Sequence, residues 1–385
     1  MTPQTALLDP FWTPERRALR HSVHAFMTRE VLDRLDDWED AGEVPRWLHR
    51  SAADAGLLGI GFDEAVGGSG GDMLDSVVLT EQIMASGGSG GLVAALLTHG
   101  IALPHLVAAA DPEQVEAFVR PVLAGEAIAA LAVTEPDGGS DVARLRTHAR
   151  RDGDRYVVNG SKTYITSGMR ADFFTTAVRT GDDGYAGLSL LVVPAETPGV
   201  VRRALPKMGW QCSDTAEIAF DEVEVPVRNL VGTEGSGFAQ IATQFVDERI
   251  GLAVQGYATA QRCLDLTLEW VRSRETFGRP LADRQLVRHR LVEMHRQIEV
   301  ARTYTRDVVQ RHAAGQEVVA RAALAKNTAV AACDHVVDAA VQLFGGLGYM
   351  RGTEVERHYR DARLLGIGGG ATEVMTELVA ARLGW

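Results

Sequence analysis

The sequence predicts an α+β chain in three parts: a helical N-terminal domain over residues 1–126, a central antiparallel β-barrel or sandwich over 127–236, and a C-terminal helical bundle over 237–385. Three observations predict it. Helix-spaced apolar residues fill the first third. Short apolar runs punctuated by turn residues replace them from about residue 127. Helical periodicity returns after Gly237 and persists.

The first part carries helix-spaced apolar residues over Glu15 to Leu32 and Glu43 to Leu58. A loop at Gly67-Gly68-Ser69-Gly70-Gly71 interrupts the pattern, which resumes over Met73 to Ala85. Gly90 to Ala110 is uncharged and long enough to raise a membrane question. Its Thr98, His99, Pro104 and His105 instead predict a buried helix broken near Pro104. Asp111-Pro112 opens a further helix through Val115, Phe118 and Val122.

In the second part, Ala127 to Val133 reads as a short strand. Asn159-Gly160, between Arg155–Val158 and Lys162–Thr166, predicts a tight I′ hairpin, because that turn needs positive φ. Phe173 to Val178, Leu188 to Val193 and Glu217 to Val225 follow as strands. In the third part, Leu291, Met294, Ile298, Ala301 and Val308 form one helical stripe. Val330, Cys333, Val337 and Ala340 form another, as antiparallel bundle helices require.

The bulk properties exclude some functions. The 385 residues are 46% hydrophobic, enough for more than one core. A net charge of −12 argues against a nucleic-acid footprint and against docking on an anionic membrane. Cys212, Cys263 and Cys333 are odd in number and lack CxxC spacing, so neither a disulfide framework nor a zinc site is expected, and a reducing cytoplasm fits. Met1 to Pro14 lacks a basic-then-apolar signal pattern. Lysine appears only at 162, 207 and 326 in an arginine-rich chain, a bias that fits a GC-rich genome.

Five segments could carry chemistry. Leu131-Ala-Val-Thr-Glu-Pro-Asp-Gly-Gly-Ser-Asp141 ends a strand in a turn whose N–H groups and Thr134 could bind a polar heterocycle; a strand-to-turn connector with Asp141 as a cap is the plainer reading. Tyr164 and Thr166 lie two apart on a strand, so they share a face and could stack on and bond to a flat ring; a packed sheet face is the plainer alternative. Ser273 to Pro280, with Arg274, Thr276 and Phe277, suits a pyrophosphate or a helix C-terminus. Gln342 to Tyr349 is no dinucleotide fingerprint and fits a glycine-capped helix end. The fifth segment is the most informative. Glu248 lies on the stripe Phe238, Ile241, Phe245, Leu252, where a carboxylate is costly unless it is paired or used as a base.

In order and spacing these segments resemble the acyl-CoA dehydrogenase family. The specific pieces are Thr134-Glu135-Pro136 with Gly139-Ser140-Asp141, Asn159-Gly160-Ser161-Lys162 with Ile165-Thr166, and Arg274 with Thr276-Phe277-Gly278. They continue with Gln342, Gly345-Gly346, Gly348-Tyr349 and Arg360-Asp361-Ala362. The resemblance implies a four-helix C-terminal bundle and FAD bound by residues of the β domain and the bundle. Val133, Thr134, Tyr164 and Thr166 would hold the isoalloxazine. Arg274 and Phe277, with Gln342 and Gly346, would reach the FAD of a neighbouring subunit in a tetramer or dimer. Leu131, Gly139, Ser140, Thr276, Gln285, Gly345, Thr372 and Glu373 complete the implied cofactor set; Ser140, Phe245, Arg249 and Gly369 would meet the thioester.

The family's usual base is a glutamate in the C-terminal glycine-rich loop. Here that loop reads Ile367-Gly-Gly-Gly-Ala-Thr-Glu373, with Gly369 at the base position. In isovaleryl and long-chain members the base precedes an arginine on the first bundle helix, which Glu248-Arg249 matches. The implied activity is α,β-dehydrogenation of an acyl-CoA to the trans-2-enoyl thioester, with electrons passed to an electron-transferring flavoprotein. An acyl-CoA oxidase, a dehydrogenase of carrier-bound acyl groups, and a non-enzymatic acyl-thioester-binding protein are the alternatives.

Overall fold

The computed structural model describes residues 11–182 and 184–385; most of the Met1–Pro14 segment read above for signal features lies outside them. The principal helices are α1 (Pro14–Phe26), α2 (Trp47–Asp54), α3 (Met73–Ala85), α4 (Gly90–Leu97) and α5 (Gly237–Ser273). They continue as α6 (Gln285–Ala313), α7 (Val319–Phe344), α8 (Glu354–Ala362) and α9 (Thr372–Leu383). The strands are β1 (Ala129–Ala132), β2 (His148–Asp152), β3 (Arg155–Thr166), β4 (Phe173–Arg179), β5 (Leu188–Pro194), β6 (Val200–Ala204) and β7 (Thr215–Pro226). A two-stranded ribbon, β8 (Glu275–Thr276) and β9 (Arg279–Pro280), follows α5. The chain divides into two compact units: one of residues 37–70 and 91–248, the other of 1–36, 71–90 and 249–385.

The first unit is built on one seven-stranded sheet, ordered β1-β4-β2-β3-β7-β6 with β5 paired to β4. Most pairs are antiparallel, as predicted, but β4 pairs in parallel with both β1 and β2. Alternate residues of β4 and β5 serve two cores: Phe174, Val178, Leu191 and Val193 pack on one, Phe173, Ala177, Leu190 and Val192 on the other. That is why both strands read as unbroken apolar runs. The second core also takes up Leu103, Leu106, Val119 and Val122 from the helical segments.

The hairpin expected at Asn159-Gly160 is not there. β3 runs straight through both residues, and the β2–β3 turn lies at Gly153-Asp154, closed by the pair Asp152↔Arg155. Gly153 takes the positive φ (+63°). Asn159 instead serves a bulge in β7. Its Oδ1 accepts from Glu222 N at 2.9 Å, where Glu222 is held at φ +49°. Gly160 is required for another reason: a Cβ there would lie 2.6 Å from Thr147 Cα.

The apolar segment 90–110 is broken twice, giving α4, His99–Ala102 and Pro104–Ala109. Among the described residues no single helix is long and apolar enough to cross a membrane; the bent pair Gly90–Leu97 and His99–Ala109, at 54°, passes only by joint length and composition. α2 is shorter than the Glu43–Leu58 pattern, starting only after Pro45.

In the second unit both predicted bundle stripes are buried apart from half-buried Leu291: Met294, Ile298, Ala301 and Val308 on α6, Val330, Cys333, Val337 and Ala340 on α7. α3 starts on an Asp72/Asp75 capping box. Its Glu81 accepts from Tyr257 Oη at 2.8 Å and from Arg306 Nη2 at 2.9 and 3.0 Å, locking α3 to α5 and α6. All three cysteines are buried free thiols.

Candidate active site

β1 runs into the Val133–Asp141 turn, which closes on itself through Glu135 N to Gly138 O at 2.8 Å. The turn is clamped to β3 from beneath. Lys162, fully buried, donates from Nζ to Val133 O at 2.9 Å and to Glu135 Oε1 at 2.8 Å. The Glu135 carboxylate also accepts from Arg146 N (2.7 Å) and Thr147 N (2.9 Å). Burial pushes the Lys162 ammonium down to about 8, against the pull of Glu135. Burial raises the Glu135 carboxyl, but Lys162 and the backbone donors outweigh it and hold it below the usual carboxylate range. A further bond, Thr163 N to Thr134 O at 2.9 Å, sets Thr134 beside the Tyr164–Thr166 segment.

Tyr164 itself is 72% exposed and sits at φ +60°. The cause is a register shift between Lys162 and Ile165, where β3 carries one residue more than β7. A large aromatic in the left-handed region is a strained arrangement that burial does not compensate here, as expected of a ring presented to a ligand. Thr166 is half-buried on the same strand; Leu131 and Thr134 are half-buried, Val133 is buried, and Gly139 and Ser140 are exposed. These residues therefore form one locus, and its exposed ring, hydroxyls and turn fit a planar heterocycle. On α5, Phe238, Ile241 and Phe245 pack against the second core. Glu248 follows on that stripe, half-buried, so burial is less complete than an apolar-face position suggests.

In the other unit the predicted residues fall into three neighbourhoods. Arg274, Thr276 and Phe277 lie on the β8–β9 ribbon, with Gln285 exposed at the start of α6. Gln342, Gly345 and Gly346 end α7. These two neighbourhoods are joined by Trp270: its Nε1 donates to Leu343 O at 3.0 Å, its ring stacks on Phe344 (5.0 Å, 12°), and the Arg274 guanidinium lies 5.7 Å from it. The third neighbourhood is the glycine loop, with Gly369 at φ +61° and Gly370 at φ +99°. Fully buried Lys326 donates to Gly370 O at 2.5 Å, and Asn327 Nδ2 to Thr372 O at 3.0 Å. Thr372 and exposed Glu373 open α9, where a negative charge suits the helix N-terminus. Arg249, half-buried, begins this unit on α5.

Sequence reasoning missed the supporting residues: the Glu135–Lys162 pairing, Trp270, Arg284, Lys326 and Asn327. The rarity of lysine was the available signal for two of them. No cluster of three potential metal ligands occurs among the described residues.

Comparison with known proteins covers nearly the whole chain. Residues 13–126, 130–223 and 235–384 match the models of the acyl-CoA dehydrogenase N-terminal, middle and C-terminal domains. The chain is 35% identical over 376 residues to the long-chain specific acyl-CoA dehydrogenase of Rattus norvegicus mitochondria, covering 97% of this chain and 87% of that protein. A probable acyl-CoA dehydrogenase from Mycobacterium abscessus superposes with a TM-score of 0.96 at 61% identity, over 97% of this chain and 100% of that one. Butyryl-CoA dehydrogenase from Megasphaera elsdenii does so with a TM-score of 0.92 at 29% identity, over 97% and 99%. The chain belongs to the acyl-CoA dehydrogenase family, FAD-dependent oxidoreductases that act on acyl-CoA.

Proposed function

We propose that this enzyme removes the α-proton and β-hydrogen of an acyl-CoA, giving the trans-2-enoyl thioester, with Glu248 as the base. Bound FAD supplies the acceptor for the β-hydrogen, which leaves as hydride. Glu248 receives the α-proton on its carboxylate. The backbone N–H of Gly369 donates to the thioester carbonyl, which withdraws charge from the α-carbon and makes its proton easier to take. Val133, Thr134, Tyr164 and Thr166 hold the isoalloxazine; Arg274 and Phe277 reach the cofactor of a second subunit. Electrons pass onward to an electron-transferring flavoprotein. The observation that carries the assignment is Glu248, the acid on the Phe238–Ile241–Phe245 stripe of a chain whose glycine loop has no acid at 369. Similarity to a long-chain specific relative makes long-chain acyl-CoAs the first substrates to test. The enzyme is taken as a homo-oligomer, a tetramer before a dimer, because Arg274 and Phe277 would reach a neighbouring subunit's cofactor; Phe277 is 96% exposed in the single chain.

The test is anaerobic bleaching of the holoprotein by a panel of acyl-CoAs. Glu248→Gln keeps shape and hydrogen bonding but cannot accept the proton at neutral pH. Flavin reduction is expected to fall by roughly 10²–10⁴ with FAD content and acyl-CoA binding retained. Near-normal reduction by Glu248→Gln removes Glu248 from the mechanism. Bleaching in air, with and without an electron-transferring flavoprotein, separates dehydrogenase from oxidase.

A further inference from the structure

We propose that Arg284 and Trp270 are positioning residues that fix the 274–280 ribbon in the conformation that presents Arg274 and Phe277 to a flavin nucleotide; this rests on the FAD assignment above. The ribbon cannot fix itself. The pair Thr276↔Arg279 leaves Phe277-Gly278 as its two-residue loop. Both loop residues have positive φ, +52° and +74°, as a type I′ turn demands. Gly278 adopts this freely, but a bulky aromatic does so only under external constraint. Two paired residues per strand are also far too few for a ribbon to be stable alone. Burial offers nothing, because Phe277 is 96% exposed.

The constraint comes from Arg284, the residue immediately before α6. Its Nη2 donates to Thr276 O at 2.5 Å and to Thr276 Oγ1 at 3.0 Å. Its guanidinium also lies 5.4 Å from the centre of the Phe277 ring. One planar group thus holds the strand before the turn and supports the ring at its tip. The base of the ribbon closes through Leu281 N to Arg274 O at 2.9 Å. Behind it, Trp270 faces the Arg274 guanidinium while bonded to Leu343 O and stacked on Phe344. Trp270 therefore sets Arg274 and the Gln342–Gly346 segment by a single ring.

The test measures FAD release from the purified holoprotein by recovery of flavin fluorescence. Amide hydrogen exchange over residues 275–281 and the melting temperature of each variant accompany it. Arg284→Met is expected to speed FAD release roughly 10-fold or more and to raise exchange over 275–281, while exchange elsewhere stays unchanged and the melting temperature falls by no more than the weaker FAD binding accounts for. Arg284→Lys recovers only part of this, because an ammonium cannot lie flat beneath a ring while bonding Thr276. Trp270→Phe keeps the stack but loses the bond to Leu343, and is expected to give a smaller effect in the same direction. Unchanged FAD release in Arg284→Met, with Arg274→Ala still losing FAD, overturns the proposal and leaves the FAD assignment standing. Faster release without added exchange over 275–281 overturns it in favour of direct contact between Arg284 and the cofactor. A general fall in melting temperature with exchange raised throughout reduces Arg284 to a structural residue. Failure of the wild-type protein to hold FAD removes the proposal together with the assignment beneath it.

Discussion

Replacing Lys162 by Met isolates the clamp beneath the Val133–Gly138 turn. The Lys162 side chain is fully buried and the Glu135 side chain 7% exposed. Removing the ammonium leaves a buried carboxylate with two backbone N–H donors and no counter-charge. Breaking a buried pair from one side costs about 3–5 kcal/mol. An upper limit on the charge penalty follows from the escape open to Glu135, which is to protonate. From an ordinary value of 4.5, that costs about 3.4 kcal/mol at pH 7. Losing the bond to Val133 O adds about 1 kcal/mol, so a total near 4 kcal/mol is expected. The sign with pH is diagnostic. In the parent, Glu135 is depressed, so its contribution is present above 4.5 and lost as pH falls through its folded value. In Lys162→Met the folded Glu135 is raised, the folded state binds the extra proton, and the deficit relative to the parent shrinks on acidification by about 1.4 kcal/mol per pH unit. Adding Glu135→Gln removes the stranded charge and is expected to recover most of the loss at pH 7. Urea unfolding by circular dichroism, at fixed FAD concentration and at pH 7 and 5.5, reads all three quantities. A Lys162→Met protein within about 0.5 kcal/mol of the parent, or a double variant no better than the single, would refute the clamp.

Two further outcomes follow from the first unit. His49, His99 and His105 are pushed down to about 3, 4 and 4, chiefly by burial; their folded values lie below the unfolded 6.5, so stability is complete above 6.5 and drains as pH falls toward 4. At about 1.4 kcal/mol per pH unit per group, the three withdraw on the order of 10 kcal/mol, and unfolding is expected before pH 4. Neither nitrogen of His105 meets a hydrogen-bonding partner, so His105→Leu should flatten the acid limb by one proton; an unchanged slope contradicts this. Gly160→Ala must push against Thr147 backbone and is expected to cost roughly 1–3 kcal/mol, more than Gly153→Ala, whose Cβ meets nothing within 4 Å; equal urea midpoints for the two variants would show that the close approach is unimportant.

The elements legible in the sequence were those whose periodicity coincides with burial. α3 occupies the predicted Met73–Ala85, and the α6 and α7 stripes are buried as spaced. β4 and β5 stood out because both faces are covered. By contrast β2 (His148–Asp152) is polar and β6 (Val200–Ala204) has no apolar alternation, and both are mostly exposed, so no strand pattern marked them. Asn159-Gly160 misled because its turn chemistry satisfies a bulge on the neighbouring strand, a demand that local sequence does not encode. The π-helical turns at Met27–Val31 and Val115–Val119 likewise add one residue without altering composition. At the candidate site, hydroxyls, glycines and the Glu248 stripe are local features and could be read. The residues that hold them in place act across long sequence separations, 27 between Lys162 and Glu135 and 73 between Trp270 and Leu343, and pairing at that range is not written in spacing.

Composition nevertheless pointed at part of that support. Of 39 basic residues only three are lysines, and each donates to a backbone carbonyl: Lys162 to Val133, Lys207 to Trp210, Lys326 to Gly370. Buried Arg170 spreads its fork over Asp214 and the Val44 carbonyl and still leaves Nη2 without a hydrogen-bonding partner. An ammonium is a compact donor on a thin stem; a guanidinium brings five donors in a fixed plane. Where a closed space offers one or two acceptors, the fork would bury donors with nothing to meet. Lys162 and Lys326 are both fully buried, and they tether the two loops assigned above to the isoalloxazine and the thioester carbonyl. Burying a charge to hold a carbonyl is costly, and at these two places it fixes backbone groups that side-chain packing alone would leave free to shift. A general preference for arginine thus gives way to a compact donor at two fully buried loop supports, Lys162 and Lys326, while the third lysine, Lys207, is half-buried and bonds within its own turn.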